Sequence, residues 1–138
     1  MTSSGPRTAG QFMTQAVATA APETRLSEAL ERMQMYGVRQ LPVIEHDRLV
    51  GLVTESDVRE ALGLQLSTHQ TKERLDWAVY RLMNEQVPTL TPETPLRDAV
   101  ELLIQSKVGA VPVVVPESGN LVGILSVIDV LRAVQPLL

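Results

Sequence analysis

Apolar residues recur at i, i+3, i+4 and i+7 over Leu26, Ala29, Leu30 and Met33, and again over Leu96, Ala99, Val100 and Leu103. That is the spacing of one buried helical face. Thr24 and Thr94 stand at the N-cap position before these stretches, and Pro95 stands at the first helical position, where a missing N–H costs nothing. Each helix is followed by two β-rich runs joined by a polar turn, Leu41 to Ile44 with Leu49 to Thr54 and Val111 to Val115 with Leu121 to Ser126. These predict hairpin-like pairs. A short extended segment precedes each helix (Val17 to Thr19; Val87 to Leu90), and a second helix closes each unit, from about Glu55 to Leu66 and from about Val127 to Leu137. Between the units, Ser67 to Gln70 reads as a polar linker. Thr71 to Met83 predicts a connecting helix with Leu75, Ala78, Val79 and Leu82 on one side. Trp77 and Tyr80 lie off that stripe, as packing or subunit contacts rather than base-stacking platforms. Residues 1 to about 9 read as a flexible tail.

The predicted order β-α-β-β-α thus occurs twice, and the residues repeat with it. Shifted by 70 positions, Met13 through Val43 aligns with Met83 through Val113, and 12 of the 31 pairs are identical. Average residue usage would give roughly two. After an insertion at the Pro116 to Asn120 turn the match resumes at an offset of 72, pairing Leu49, Val50, Gly51, Asp57 and Val58 with Leu121, Val122, Gly123, Asp129 and Val130. A period of this kind with two copies predicts a pseudo-symmetric pair rather than a solenoid. The expected division is 10–66 for the first repeat, 67–81 for the linker with its connecting helix, and 82–138 for the second repeat.

Composition narrows the function. Hydrophobic residues make up 44% of the chain and aromatics 3%, so the core is aliphatic, as suits α/β packing. A net charge of −4 with 20% charged residues argues against binding a phosphate backbone, so nucleic acid is not expected as a partner. Cys is absent, which removes disulfides, thiolate metal sites and a cysteine nucleophile and fits the cytoplasm. No signal peptide is read at Met1 to Pro6, and no apolar run approaches the roughly 20 residues that span a bilayer. His46 falls in a predicted turn and His69 in the linker, and neither has a partner at catalytic spacing. No catalytic residue, metal site or cofactor is expected.

Leu41-Pro42-Val43 and Val111-Pro112-Val113 in one strand, with Gly51-Leu52-Val53-Thr54-Glu55-Ser56-Asp57 and Gly123-Ile124-Leu125-Ser126-Val127-Ile128-Asp129 ending the other, resemble the cystathionine-β-synthase-type (CBS) domain family. The resemblance covers residues 10 to 138. It implies a stand-alone tandem pair, or Bateman module, of the α/β (α+β) class, with two pseudo-symmetric repeats packed through their sheets. It also implies homodimerisation and clefts between the repeats for AMP, ADP, ATP, S-adenosylmethionine or a related regulatory ligand. The module would signal energy or metabolite state to a partner protein; the alternative is a dimerising interaction module with no nucleotide.

Carried onto this sequence, the family pattern makes Thr54 and Asp57, and Ser126 and Asp129, ligand residues. An ionised carboxylate accepts from both hydroxyls of a ribose diol, and hydroxyl and free N–H groups at a helix start suit phosphate. Gly51 and Gly123 would let backbone come close to the ligand. The same Thr54-x-x-Asp57 and Ser126-x-x-Asp129 spacings also satisfy the helix capping box, and the two roles can coexist. Around the adenine the resemblance places Val17, Thr19, Val38, Leu41 and Pro42, and Val87, Thr89, Val108, Val111 and Pro112; plain core membership is the other reading of these. Arg39, Arg59, Lys107 and Arg132 are the cations available to phosphate. Arg39 aligns with Gly109 and Arg59 with Leu131, so two unequal sites are expected.

Overall fold

A computed structural model of the protein describes residues 7–63, 66–107 and 109–138. Each half of the sequence builds a helix, a hairpin and a second helix, as its periodicity predicts. In the first half these are α2 (Leu26–Tyr36), β1 (Gln40–Glu45), β2 (Arg48–Thr54) and α3 (Glu55–Leu62), preceded by the single-turn α1 (Ala9–Phe12). After α4 (Thr68–Leu75) and a 3₁₀ turn at Val79–Arg81 come α5 (Leu96–Ser106), β3 (Ala110–Val114), β4 (Leu121–Ser126) and α6 (Val127–Val134). Both hairpins are antiparallel, and their registers are twins: Val43 faces Gly51 and Val113 faces Gly123, each beside a bulge. His46 and Asp47 both take positive φ, the conformation that a tight two-residue hairpin loop requires.

Local hydrogen bonding moves several expected boundaries. Thr24 and Thr94 do not cap α2 and α5; their hydroxyls accept from Ala21 N–H and Thr91 N–H at 2.9 Å, closing the preceding turns. The caps are Arg25 and Pro95, one residue later. The connecting helix stops at Leu75 because the following backbone is used elsewhere. Leu26 N–H donates to Trp77 O (2.9 Å) and Val79 N–H to Thr24 O (2.8 Å), which takes these groups out of any continuous helical ladder. The second helices are also shorter than expected. α3 gives way to Gly63 at φ 59°, and α6 passes into a 3₁₀ turn over Gln135–Leu137.

The expected tail is only in part described, since residues 1–6 lie outside the described residues. From Arg7 onward it is structure: Leu96 N–H donates to Arg7 O (2.9 Å), Ala9 N–H to Thr94 O (2.8 Å), and Ala9 is fully buried. The bonds that Arg7 and Ala9 make to α5 are the same bonds, 70 residues earlier, that Trp77 and Val79 make to α2. The repeat therefore extends upstream of its detectable sequence identity.

Contacts divide the chain into two units, one Ala18–Val87, the other Met1–Val17 (described from Arg7) with Pro88–Leu138. In each, a parallel bridge joins one edge of the hairpin at or just past the short segment expected as a first strand, Ala20 to Val43 one residue beyond Val17–Thr19 and Leu90 to Val113 within Val87–Leu90. The other edge is closed by an antiparallel bridge, Asn84 to Leu52 and Thr14 to Ile124. The segment that precedes each repeat in sequence thus completes the sheet of the other repeat. Each unit has its own aliphatic core. Leu26, Met33, Leu41, Val43, Val53, Val58 and Val79 form one, and Ala9, Leu90, Ala99, Leu103, Val111, Val113 and Leu125 the other.

Candidate functional site

The strand-to-helix corner after β2 and its twin after β4 hold the four polar residues singled out by the repeat. Thr54 and Ser126 are extended N-cap residues, and their hydroxyls accept from Asp57 N–H (3.0 Å) and Asp129 N–H (3.1 Å). The capping role is therefore present in both units. It occupies one hydroxyl lone pair and one backbone donor, and leaves the carboxylates to be accounted for separately.

The two carboxylates differ. Asp129 is 8% exposed; its Oδ2 accepts from Ser126 N–H at 2.8 Å, completing the capping box, and its Oδ1 accepts from the Thr14 hydroxyl at 3.0 Å. Asp57 is half-buried, and its carboxylate accepts no hydrogen bond among the described residues. Thr14 carried no signal in the sequence beyond its place beside Met13 at the head of the repeat alignment. Only the fold brings it against a helix 115 residues away.

Asp129 also lines an open cavity of about 380 Å³ with Gln11, Met13, Thr14, Arg132 and Pro136. Within its own unit this sets one carboxylate and one guanidinium at a single opening, the pair of charges that a hydroxyl- and phosphate-bearing ligand calls for. The other expected cations are placed less uniformly. Arg59 pairs with Glu55 at 3.2 Å along α3, Arg39 and Lys107 are exposed, and Lys107 ends α5 in the left-handed conformation at φ 56°.

Of the residues expected around adenine, Leu41, Pro42, Val111 and Pro112 are fully buried. Val38 packs against the core of its unit, and Thr19 is half-buried with its carbonyl accepting from the Arg32 guanidinium at 2.9 Å. Val17 and Val87 are half-buried, Thr89 is exposed, and Val108 lies outside the described residues. The glycines have a packing role. A Cβ on Gly123 would stand 2.5 Å from Met13 Sδ and 3.0 Å from Thr14 O, and one on Gly51 would stand 2.7 Å from Met83 Sδ and 3.2 Å from Asn84 O. The close approach that these glycines permit within the fold is to the chain's own bridging segments. Trp77 is half-buried with Arg81 3.9 Å and Arg74 5.1 Å from its ring centroid, so its ring is engaged by cations of its own unit.

Among the described residues no group of His, Cys, Asp and Glu could hold a metal ion, and no helix is long and apolar enough to cross a membrane. The family model described as CBS domain matches residues 9–64 and 79–136. CBS domain-containing protein YhcV of Bacillus subtilis is 31% identical over 117 residues, 85% of this chain and 78% of that protein. The uncharacterized protein MJ1225 of Methanocaldococcus jannaschii is 30% identical over 126 residues, but this chain spans only 45% of its length. Its crystal structure matches with a TM-score of 0.83, covering 94% of this chain and 48% of that one. The crystal structure of CBSX2 in complex with AMP, a CBS-pair protein of Arabidopsis thaliana, is 33% identical with a TM-score of 0.80, covering 94% of this chain and 97% of that one.

Proposed function

Because this chain belongs to the CBS domain family and carries two copies of the domain, we propose that it is a non-catalytic regulatory module that binds an adenosine-containing ligand and passes that state to a partner protein. The observation that carries this reading is the twinned corner itself. In each unit a hydroxyl and a carboxylate stand three residues apart at a helix start, and the Asp57 carboxylate accepts no bond among the described residues. The 33% identity to CBSX2, whose structure is of a complex with AMP, supports AMP as the first ligand to test, with ADP, ATP and S-adenosylmethionine next. Adenine ligands are expected to outrank guanine ligands, since the residues that the resemblance assigns to the base are mostly apolar and include no dedicated reader of a guanine edge.

Thermal unfolding with each ligand is the direct test. At ten times its dissociation constant, a ligand of the folded state adds about 1.4 kcal/mol, a readily measured rise in Tm. AMP should produce that rise and GMP a smaller one. If no adenosine ligand moves the transition at millimolar concentration, the remaining reading is a dimerising interaction module without a nucleotide.

The module is also proposed to act as a homodimer. Of the two second helices, α6 presents an apolar surface: Val127, Ile128, Leu131 and Val134 are 42%, 55%, 57% and 38% exposed. Their partners on α3 are Glu55, Ser56, Arg59 and Leu62, so that surface is polar. A self-complementary contact through α6 would bury the apolar side. The doubled variant Ile128→Ser with Leu131→Arg copies α3 onto α6 and should convert a dimer to a folded single chain by light scattering. A wild type that already runs as one chain at micromolar concentration removes this part of the proposal.

A further inference from the structure

Thr14 and Asn84 occupy the same place in the two units and do opposite things there. Thr14 exchanges two backbone hydrogen bonds with Ile124, at 2.8 and 2.9 Å, and Asn84 exchanges two with Leu52, at 2.8 and 3.0 Å. Both residues follow a methionine packed over a strand glycine, Gly123 in one unit and Gly51 in the other. The side chains then diverge. The Thr14 hydroxyl donates to Asp129 Oδ1, whereas Asn84 Oδ1 turns back to accept from Gln86 N–H at 3.0 Å and leaves Asp57 alone.

We propose that this pair of residues decides which carboxylate is open to a ligand diol: Asp57 is the high-affinity site, and Asp129 is held back by Thr14, whose hydroxyl makes the bond that a ribose hydroxyl would make. This inference rests on the adenosine reading above. A carboxylate is acceptor-only and has about four lone-pair positions. At Asp129 one position on each oxygen is already taken, by Thr14 and by Ser126 N–H, and the residue is 8% exposed. A diol arriving at Asp129 finds only one remaining position on each oxygen, on a carboxylate that already holds two donors of the fold. At Asp57 the same diol meets oxygens that accept no bond among the described residues, on a half-buried residue. The difference comes from one side chain in each bridging segment, and it is independent of the unequal cations noted above.

The internal repeat supplies the variants. Thr14→Asn gives the Asp129 unit the residue that its twin already accommodates, and Asn84→Thr gives the Asp57 unit a hydroxyl donor. Thr14→Val, which removes the hydroxyl and keeps the shape, is a second route to the same opening. Calorimetric titration with AMP and 2′-deoxy-AMP reads out both stoichiometry and ribose preference. Wild type is expected to show one tight site per chain. Thr14→Asn and Thr14→Val should each gain a second site that discriminates against the deoxy analogue. Asn84→Thr should weaken the tight site by about tenfold, the scale of one hydrogen bond to a charged group. Two equal sites in wild type, or one unchanged site in all three variants, would overturn the inference while leaving the adenosine reading intact. If wild type and the variants all fail to bind AMP, that reading falls and this one with it.

Discussion

Gly123→Val is expected to lower stability by about 2 to 4 kcal/mol, read as a shift in denaturant midpoint at constant slope. Gly123 is buried in β4 opposite Val113, and its φ lies outside the left-handed range, so the requirement is for space rather than for conformation. The added Cβ alone would sit 2.5 Å from Met13 Sδ, 2.9 Å from Met13 Cγ and 3.0 Å from Thr14 O. The methionine is flexible and could yield to a single methyl group, but the carbonyl belongs to backbone held by both bonds to Ile124. Valine adds two further carbons, so either the Met13–Thr14 segment lifts away or β4 distorts. Overpacking of this kind costs about 1 to 3 kcal/mol, and each lost hydrogen bond adds about 1 kcal/mol. Adding Met13→Ala to Gly123→Val should recover part of the loss, because it removes the side chain that collides first but leaves the Thr14 carbonyl in place. An unchanged midpoint for Gly123→Val would mean that this segment contributes nothing to the unit.

That contact is also where the sequence stopped being informative. The helices and hairpins were legible because each buries one face and so imprints a 3.6- or 2-residue period on its own residues; Leu26, Ala29 and Met33 are all fully buried as that period requires. The bridging segments bury very little per residue. Ala9 is the only buried residue of α1, and Val79 the only one in the 3₁₀ turn at Val79–Arg81. No period can be written in so few positions, which is why the residues up to about 9 read as tail and Thr71–Met83 as one helix. The repeat did hold the missing information, since Met13 and Met83 are identical and begin the alignment. What it could not tell is that each methionine closes the sheet of the other copy, because sequence similarity does not distinguish a residue's own repeat from its partner.

The candidate site divides in the same manner. The Thr54-x-x-Asp57 and Ser126-x-x-Asp129 spacing was visible, and its capping geometry is local enough to follow from spacing alone. The inequality of the two carboxylates was expected from the cations, Arg39 against Gly109 and Arg59 against Leu131. At the carboxylates themselves it arises from Thr14 and Asn84, whose effect depends on a pairing distant in sequence. Arg59 meanwhile is engaged by Glu55 at 3.2 Å, although both are exposed enough that the pair contributes little to stability.

Asp129→Ala and Asp57→Ala should therefore differ sharply, although the two residues are twins. Removing the Asp129 carboxylate strands Ser126 N–H, which it now satisfies at 2.8 Å where Asp129 itself is 8% exposed, and also ends the 3.0 Å bond from the hydroxyl of Thr14, an exposed residue whose hydroxyl can turn to water. An unsatisfied buried donor costs about 1 to 3 kcal/mol. The lost negative charge at the start of α6 adds some tenths more through the helix dipole. A total of about 1.5 to 3.5 kcal/mol is expected for Asp129→Ala. The Asp57 carboxylate accepts no bond among the described residues, and the Asp57 N–H to Thr54 bond survives truncation of the side chain. Asp57→Ala should lose only the dipole interaction, about 0.3 to 1 kcal/mol. In ligand binding the order reverses: Asp57→Ala should abolish the tight AMP site and its preference for ribose over 2′-deoxyribose, while Asp129→Ala, assayed well below its lowered Tm, should retain both. Thermal denaturation and calorimetry on the same two preparations decide the matter. Equal stability losses would mean that the two helix starts are held alike, and an unchanged AMP affinity in Asp57→Ala would leave that carboxylate with no part in binding.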